Sequence, residues 1–197
     1  MDKTPSQTMK LEPRTTAASR EKERFDAAYQ RQLEQAQQQV AFTIMVWGPG
    51  KKSKSPVARK RWETYKELLN LGHNAVASED LTDTKFTGNF SEATKEFAQA
   101  KEAHLMIVFI EEAPGALGET HDFASDPDLA QKFFVFVPQK YRGGYSAKGV
   151  IRDLDKGWHG VYWYKDDEVP ACAILTKAVE WVETRRQVEY RRKRKHS

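Results

Sequence analysis

The sequence predicts an α/β fold built around a five-stranded parallel sheet. Short apolar runs alternate with stretches that carry apolar residues at helical spacing, which is the pattern of repeated strand–helix units. Because the third apolar run has no polar interruption, we expect it at the centre of the sheet, with helices on both faces. The predicted strands occupy residues 40–47, 74–78, 104–110, 132–137 and 160–164.

The predicted helices lie between these strands and after the last one. The first covers residues 56–71 and begins with Pro56, a residue suited to the first position of a helix. Others cover residues 91–102, a short segment after Gly115, and a long segment from residue 169 onward. Five strands with intervening helices favour a flavodoxin-like three-layer sandwich with the strand order 2-1-3-4-5.

Three segments of different composition flank the predicted domain at residues 40–184. Residues 1–17 are polar, contain two prolines and lack periodicity, so we predict a disordered tail. Residues 18–39 predict an amphipathic helix whose narrow apolar stripe needs a partner surface, on the same domain, on another subunit or on a partner protein. Residues 185–197 form a basic tail that would bind nucleic acid or an acidic partner, or that simply ends the last helix in solvent.

The composition limits the class of protein. The chain has 197 residues and a net charge of +4, but residues 185–197 hold seven Lys or Arg against one Glu, so the rest carries −2. No apolar run is long enough to cross a bilayer, which predicts no membrane association. Cys172 is the only cysteine, so an internal disulfide is excluded; we expect a packed thiol and a cytoplasmic protein.

The predicted strand order brings two turns together at the carboxyl ends of strands one and three. A parallel α/β sheet binds ligands at such a point. Residues 48–55 form one turn and residues 111–119 the other, which ends at Glu119 in the first turns of a helix. Asp122 follows on the same side of that helix, and two nearby carboxylates can divide the roles of nucleophile and acid. Alternatively, Glu119 only favours the positive end of the helix dipole.

Other candidate ligand contacts follow strands one and two. Lys51, Lys52 and Ser53 precede a helix, where lysines and backbone N–H groups attract anions, so they are candidate phosphate contacts. The GxxxxGK[ST] and GxGxxG spacings are absent, and a flexible solvated loop is the alternative. Glu79 and Asp80 end strand two, where a carboxylate can accept hydrogen bonds from ribose hydroxyls; an exposed turn is the alternative.

The histidines lack metal-ligand spacing, so we predict no metal and no cofactor.

The order of these motifs resembles the nucleoside 2-deoxyribosyltransferase-like family, which is related in layout to TIR-type domains. In that family an apolar third strand runs into a Gly-Thr-Ala-Phe-Glu turn, which residues 115–119 match in spacing, with Glu119 in the nucleophile's place. The turn Trp47-Gly48-Pro49 resembles the family's Ala-Gly-Pro turn, which lines the pocket for base and sugar. The resemblance spans roughly residues 42–182.

The resemblance implies an N-glycosidic-bond hydrolase or transferase that acts on a nucleoside, nucleotide or NAD-like molecule. It assigns Glu119 to catalysis and Gly115 and Ala116 to substrate contact. The chain departs from the family pattern at Ala103-His104 and at His121. Similar compact domains serve as effectors or sensors in bacterial anti-phage defence, a role in which the helix at residues 18–39 and the basic tail would suit assembly into a homo-oligomer or with a partner. The alternative is a non-catalytic module that senses a nucleotide while its basic tail binds nucleic acid or a partner protein.

Overall fold

The computed structural model describes residues 17–77, 79–80, 92–111, 120, 123, 125–144, 151–152, 154 and 160–196. These residues contain a five-stranded sheet with the order β2-β1-β3-β4-β5, in which every neighbouring pair is parallel. The flavodoxin-like α/β architecture predicted from the sequence is therefore confirmed. The strands are β1 (Thr43–Trp47), β2 (Asn74–Ala77), β3 (Leu105–Phe109), β4 (Phe133–Pro138) and β5 (Gly160–Tyr164).

The helices follow the predicted order with adjusted boundaries. The last helix starts four residues later than predicted, because a 3-10 turn at Asp166–Glu168 and then Pro170, which has no N–H to donate, precede it. The short helix predicted after Gly115 falls mainly on residues outside the described part of the chain. The helices are α1 (Ala17–Gln39), α2 (Pro56–Asn70), α3 (Glu92–Glu102), α4 (Pro127–Ala130) and α5 (Ala173–Lys195).

Two hydrophobic layers sandwich the sheet. Side chains alternate along each strand, so Ile107 of β3 packs in the layer with α2 and α5, while its neighbour Val108 packs in the opposite layer with α3. All five residues of β3 are buried, as expected for a central strand covered on both faces. The central position predicted for the third apolar run is confirmed.

Local signals fix both ends of α2. Ser55 caps its first turn by accepting a hydrogen bond from the Ala58 N–H at 3.0 Å. Gly72, with φ of +80°, follows its end, and the Gly72 N–H donates to the Leu69 carbonyl at 3.0 Å. Not every apolar residue of α2 is buried: Leu69 is 42% exposed, whereas the Arg61 side chain lies in the interior.

The basic segment after residue 184 is continuous with the domain. Helix α5 crosses that position without a break, and Arg186 and Tyr190 are buried. Arg186 donates a hydrogen bond to the Leu71 carbonyl at 2.8 Å, which ties α5 to the turn after α2. The prediction that Cys172 packs on an apolar helix face is wrong, because it precedes the first turn of α5 and is exposed.

The chain divides into two compact units, residues 1–35 and residues 36–197. In the first unit α1 presents Phe25 and Tyr29 to solvent, at 72% and 47% exposure. The disordered tail predicted for residues 1–17 lies outside the described residues, apart from the first residue of α1. Among the helices that the structure describes, none has the length and apolar character needed to span a bilayer.

Candidate functional site

The turn after β1 lies directly against the end of β3. Gly48 adopts a φ of +142°, a conformation that residues with a side chain rarely adopt. A Cβ atom at Gly48 would lie 2.8 Å from both the Cβ atom and the carbonyl oxygen of Phe109. The two strands therefore meet at their carboxyl ends through a contact that only glycine permits, at the point where the order of the sheet reverses.

Replacing Gly48 by Ala is expected to lower the free energy of unfolding by about 3 kcal/mol, because backbone strain and overpacking add at one position. Urea unfolding followed by circular dichroism measures the change. Gly143 is the matched control: a Cβ atom there meets nothing within 4 Å, so Gly143→Ala should change stability by only about 0.5 kcal/mol. Equal midpoints for the two variants would show that the Gly48 contact does not constrain the turn.

A buried arginine joins the ends of β1 and β2. The Arg61 side chain is 1% exposed and reaches from α2 to the carboxyl edge of the sheet. Its Nε and Nη2 groups donate to the Val46 carbonyl at 3.1 and 2.8 Å, and Nη1 donates to the Pro49 carbonyl at 2.9 Å. Both terminal nitrogens also donate to Glu79, at 2.7 Å to Oε1 and 2.5 Å to Oε2. All five N–H groups of the guanidinium are thus in use.

This arrangement gives Glu79 a structural role beside the predicted one. Each carboxylate oxygen accepts a hydrogen bond from Arg61, so the pair fixes the end of β2 against the turn after β1. The Glu79 side chain remains 34% exposed, and its oxygens have further lone pairs. Ribose binding by Glu79 remains a prediction. The two hydrogen bonds from Arg61 hold the Glu79 carboxylate in one orientation.

Two predicted contacts pair with each other beside this arginine. Lys51 and Asp80 form an ion pair in which each side chain is roughly half exposed. The hydrogen bond to Asp80 raises the pKa of Lys51, which also lies 5.1 Å from the centroid of the Trp62 ring. Exposed pairs of this kind contribute little to stability, so the pair does not by itself hold Lys51 in place.

The remaining residues of this turn are exposed. Lys52 and Ser53 face solvent, and the Ser53 Oγ accepts a hydrogen bond from the Ser55 N–H at 3.2 Å. The Ser53 N–H donates to the Gly50 carbonyl at 2.9 Å, which gives the turn internal order. Phosphate binding by Lys51, Lys52 and Ser53 remains a prediction.

A cavity of about 200 Å³ opens on the other side of β1, above the ends of β3, β4 and β5. Glu111 and Asp166 contribute carboxylates to its lining and Lys140 contributes a cation. A second cavity of about 300 Å³ shares Pro56 and Asp166 with it. The full lining of the first cavity is Pro56, Val57, Glu111, Pro138, Lys140, Tyr164, Asp166 and Val169.

The polar residues of this cavity are not among the predicted site residues, although their positions in the sequence carry a signal. Glu111, Lys140 and Asp166 each follow a predicted strand by one to three residues. The rule that ligands bind beyond the carboxyl ends of parallel strands applies to them as well as to the turn after β1. The buried role of Arg61 had a weaker signal, since it shares the helical spacing of Val57 and Leu68.

Trp47 and the segment after β3 complete the predicted site. Trp47 is 6% exposed and packs edge-on against Phe123, with ring centroids 5.1 Å apart. Glu119 and Asp122 lie outside the residues that the structure describes, as do the predicted contacts Gly115 and Ala116. In the described part of the chain, His, Cys, Asp and Glu side chains form no group of three or more that could hold a metal ion.

Fold and site together define a flavodoxin-like α/β protein whose candidate ligand-binding residues lie at the carboxyl edge of its sheet. No protein-family model matches the chain, and no curated protein matches it either. Its function therefore has to be inferred from the residues of this edge.

Proposed function

We propose that the protein cleaves the N-glycosidic bond of a nucleoside, nucleotide or NAD-like molecule at the carboxyl edge of its sheet. The observation that carries the proposal is the strand order, which reverses between β1 and β3. Glu119 belongs to the segment that begins where β3 ends, and Glu111, the first polar residue of that segment, lines the cavity. The resemblance in motif order to nucleoside 2-deoxyribosyltransferases supports the same assignment.

The chemistry follows from a carboxylate beside a sugar. A Glu119 oxygen attacks the anomeric carbon, the bond from that carbon to the base nitrogen breaks, and the base leaves with the bonding electrons. Asp122 is the candidate acid that would supply a proton to the departing base. Water then attacks the glycosyl ester, which releases the sugar and restores the carboxylate; a second base in place of water would give transfer.

The described residues supply binding groups for such a substrate. Lys140 in the cavity and Lys51 on the other side of β1 are cations suited to phosphate groups, while Glu79 and Asp80 are carboxylates suited to sugar hydroxyls. Cavities that hold small ligands measure about 300–1,000 Å³. The cavity of about 300 Å³ lies at the lower limit of that range, and the cavity of about 200 Å³, which shares part of its lining, lies below it.

Release of free base tests the proposal. Purified protein is incubated with nucleosides, deoxynucleosides, nucleotides and NAD, and free bases are separated by liquid chromatography. We expect base release from at least one class and none from a Glu119→Gln variant. If no member of the panel loses its base while the wild-type protein binds one of them, a nucleotide-sensing module describes the chain better than an enzyme.

A further inference from the structure

A second polar groove lies at the amino edge of the sheet, opposite to the edge that carries the candidate site. Its volume is about 360 Å³, and the residues before β1 and at the start of β3 form its floor. One face of α5 forms its wall, with lining residues at helical spacing. We call it the amino-edge groove; it is lined by Val40, Ala41, Phe42, His104, Leu105, Arg185, Val188, Glu189, Arg192 and Lys193.

The charges of the amino-edge groove favour an anion. Arg185, Arg192 and Lys193 contribute three cations against the single carboxylate of Glu189, which lies 3.5 Å from Arg192. The Arg185 guanidinium lies 5.4 Å from the centroid of the Trp181 ring, and burial lowers the pKa of Arg185. The excess of cations in the lining gives the groove a positive charge that attracts an anion.

His104 adds a further polar side chain to the lining of the same groove. The Thr43 N–H donates to its Nδ1 atom at 3.0 Å, so in the neutral ring the proton resides on Nε2. The His104 ring is held beside Phe42, with ring centroids 5.9 Å apart. His104 thus adds an N–H group to the lining, of the kind that can donate to a phosphate oxygen.

We propose that the amino-edge groove and the exposed end of α5 bind the phosphodiester backbone of a nucleic acid. A single phosphate would need only the groove, but exposed cations continue beyond it through Arg191, Arg194 and Lys195. From Arg185 to Lys195 the helix rises about 15 Å, which corresponds to several phosphates along one strand. The site lies at the opposite edge of the sheet from the proposed glycosidic chemistry and does not depend on it.

Two charge reversals on the same helix separate this surface from diffuse attraction. Arg192 lines the groove, whereas Lys177 lies near the other end of α5 and outside the proposed surface. Both side chains are exposed, and each change to Glu alters the net charge equally. Fluorescence anisotropy with a labelled oligonucleotide of about 20 nucleotides, single-stranded and as a duplex, measures the affinity of the full chain. We expect Arg192→Glu to weaken binding at least about tenfold, and Lys177→Glu by about threefold or less.

The proposal is overturned if both reversals weaken binding equally, because that result would mean attraction by net charge alone. Absence of binding at low salt overturns it as well. Competition by polyglutamate as effective as that by unlabelled oligonucleotide would assign the surface to acidic proteins instead. Comparison of the single strand, its duplex and the matching RNA identifies which phosphodiester polymer the surface prefers. Circular dichroism of both variants checks that α5 remains helical.

Discussion

The free energy of unfolding of an Arg61→Met variant is expected to be about 3–5 kcal/mol lower than that of the wild type. Methionine keeps most of the apolar length of the side chain and removes all five donors. The carbonyls of Val46 and Pro49 then lose their buried partners, and Glu79 loses the cation that it faces. Because unsatisfied buried groups cost more than an ordinary hydrogen bond contributes, the loss should rank among the largest for a single residue.

Urea unfolding with tryptophan fluorescence and circular dichroism measures this loss. Arg59→Met is the matched control, since Arg59 lies on the same helix with an exposed side chain and should change stability by about 0.5 kcal/mol or less. If Arg61→Met does not fold, Glu79→Gln keeps the shape of the carboxylate, removes its charge, and should cost about 1–3 kcal/mol. An Arg61→Met protein as stable as the control would contradict the role assigned to Arg61.

The second large effect concerns catalysis. Glu119→Gln should lower the rate of base release about 1,000-fold or more, which is a loss of about 4 kcal/mol in transition-state stabilisation. Glutamine is nearly isosteric with glutamate, but its amide is a poor nucleophile toward the anomeric carbon. The Michaelis constant should change far less than the turnover number, since the missing bond forms only during the reaction.

Glu180→Gln provides the matched control for this change. It is the same substitution on a side chain that is 57% exposed on α5, where it pairs with Lys177. We expect Glu180→Gln to retain wild-type turnover within about twofold, because an exposed pair contributes little to stability. If both variants release base at the wild-type rate, the nucleophile is not Glu119, and the carboxylates of Glu111 and Asp166 in the cavity become the candidates.

The sheet could be predicted because its signal is local. Each strand is a short apolar run between polar turns, and the run in the centre, Leu105–Phe109, has no polar residue. Strand order then followed from the rules for parallel sheets, not from any single residue. The bounds of α2 were equally local, since Ser55, Pro56 and Gly72 mark its ends.

The misplaced residues depend on contacts distant in sequence. From the sequence alone, Arg61 would be placed on the surface. In the fold it is buried, because residues at or just after the ends of β1 and β2 supply carbonyls and a carboxylate as hydrogen-bond acceptors. Arg61 is therefore 1% exposed, whereas the apolar Leu69 of the same helix is 42% exposed. Arg186 and Tyr190 lie in a run that reads as a basic tail, yet the turn after α2 gives Arg186 a buried partner. Periodicity cannot reveal such partners, because they come from other elements.

Only part of the candidate site could be predicted, because the other part depends on contacts between segments that are distant in sequence. The turn after β1 and the end of β2 were identified from their position at strand ends, and the structure places Lys51 beside Asp80 there. The cavity above β3, β4 and β5 was not identified, because its polar residues Lys140 and Asp166 come from separate turns. Only the assembled sheet shows that these turns line one cavity.

Intact-protein mass spectrometry during turnover tests the central claim most directly. The protein is mixed with the substrate found in the base-release panel, quenched in acid at short times, and digested to locate any modification. A covalent intermediate predicts the added mass of the sugar on the peptide that contains Glu119, and no such mass in Glu119→Gln. Sugar attached to another carboxylate, or undiminished base release by Glu119→Gln, would contradict the account.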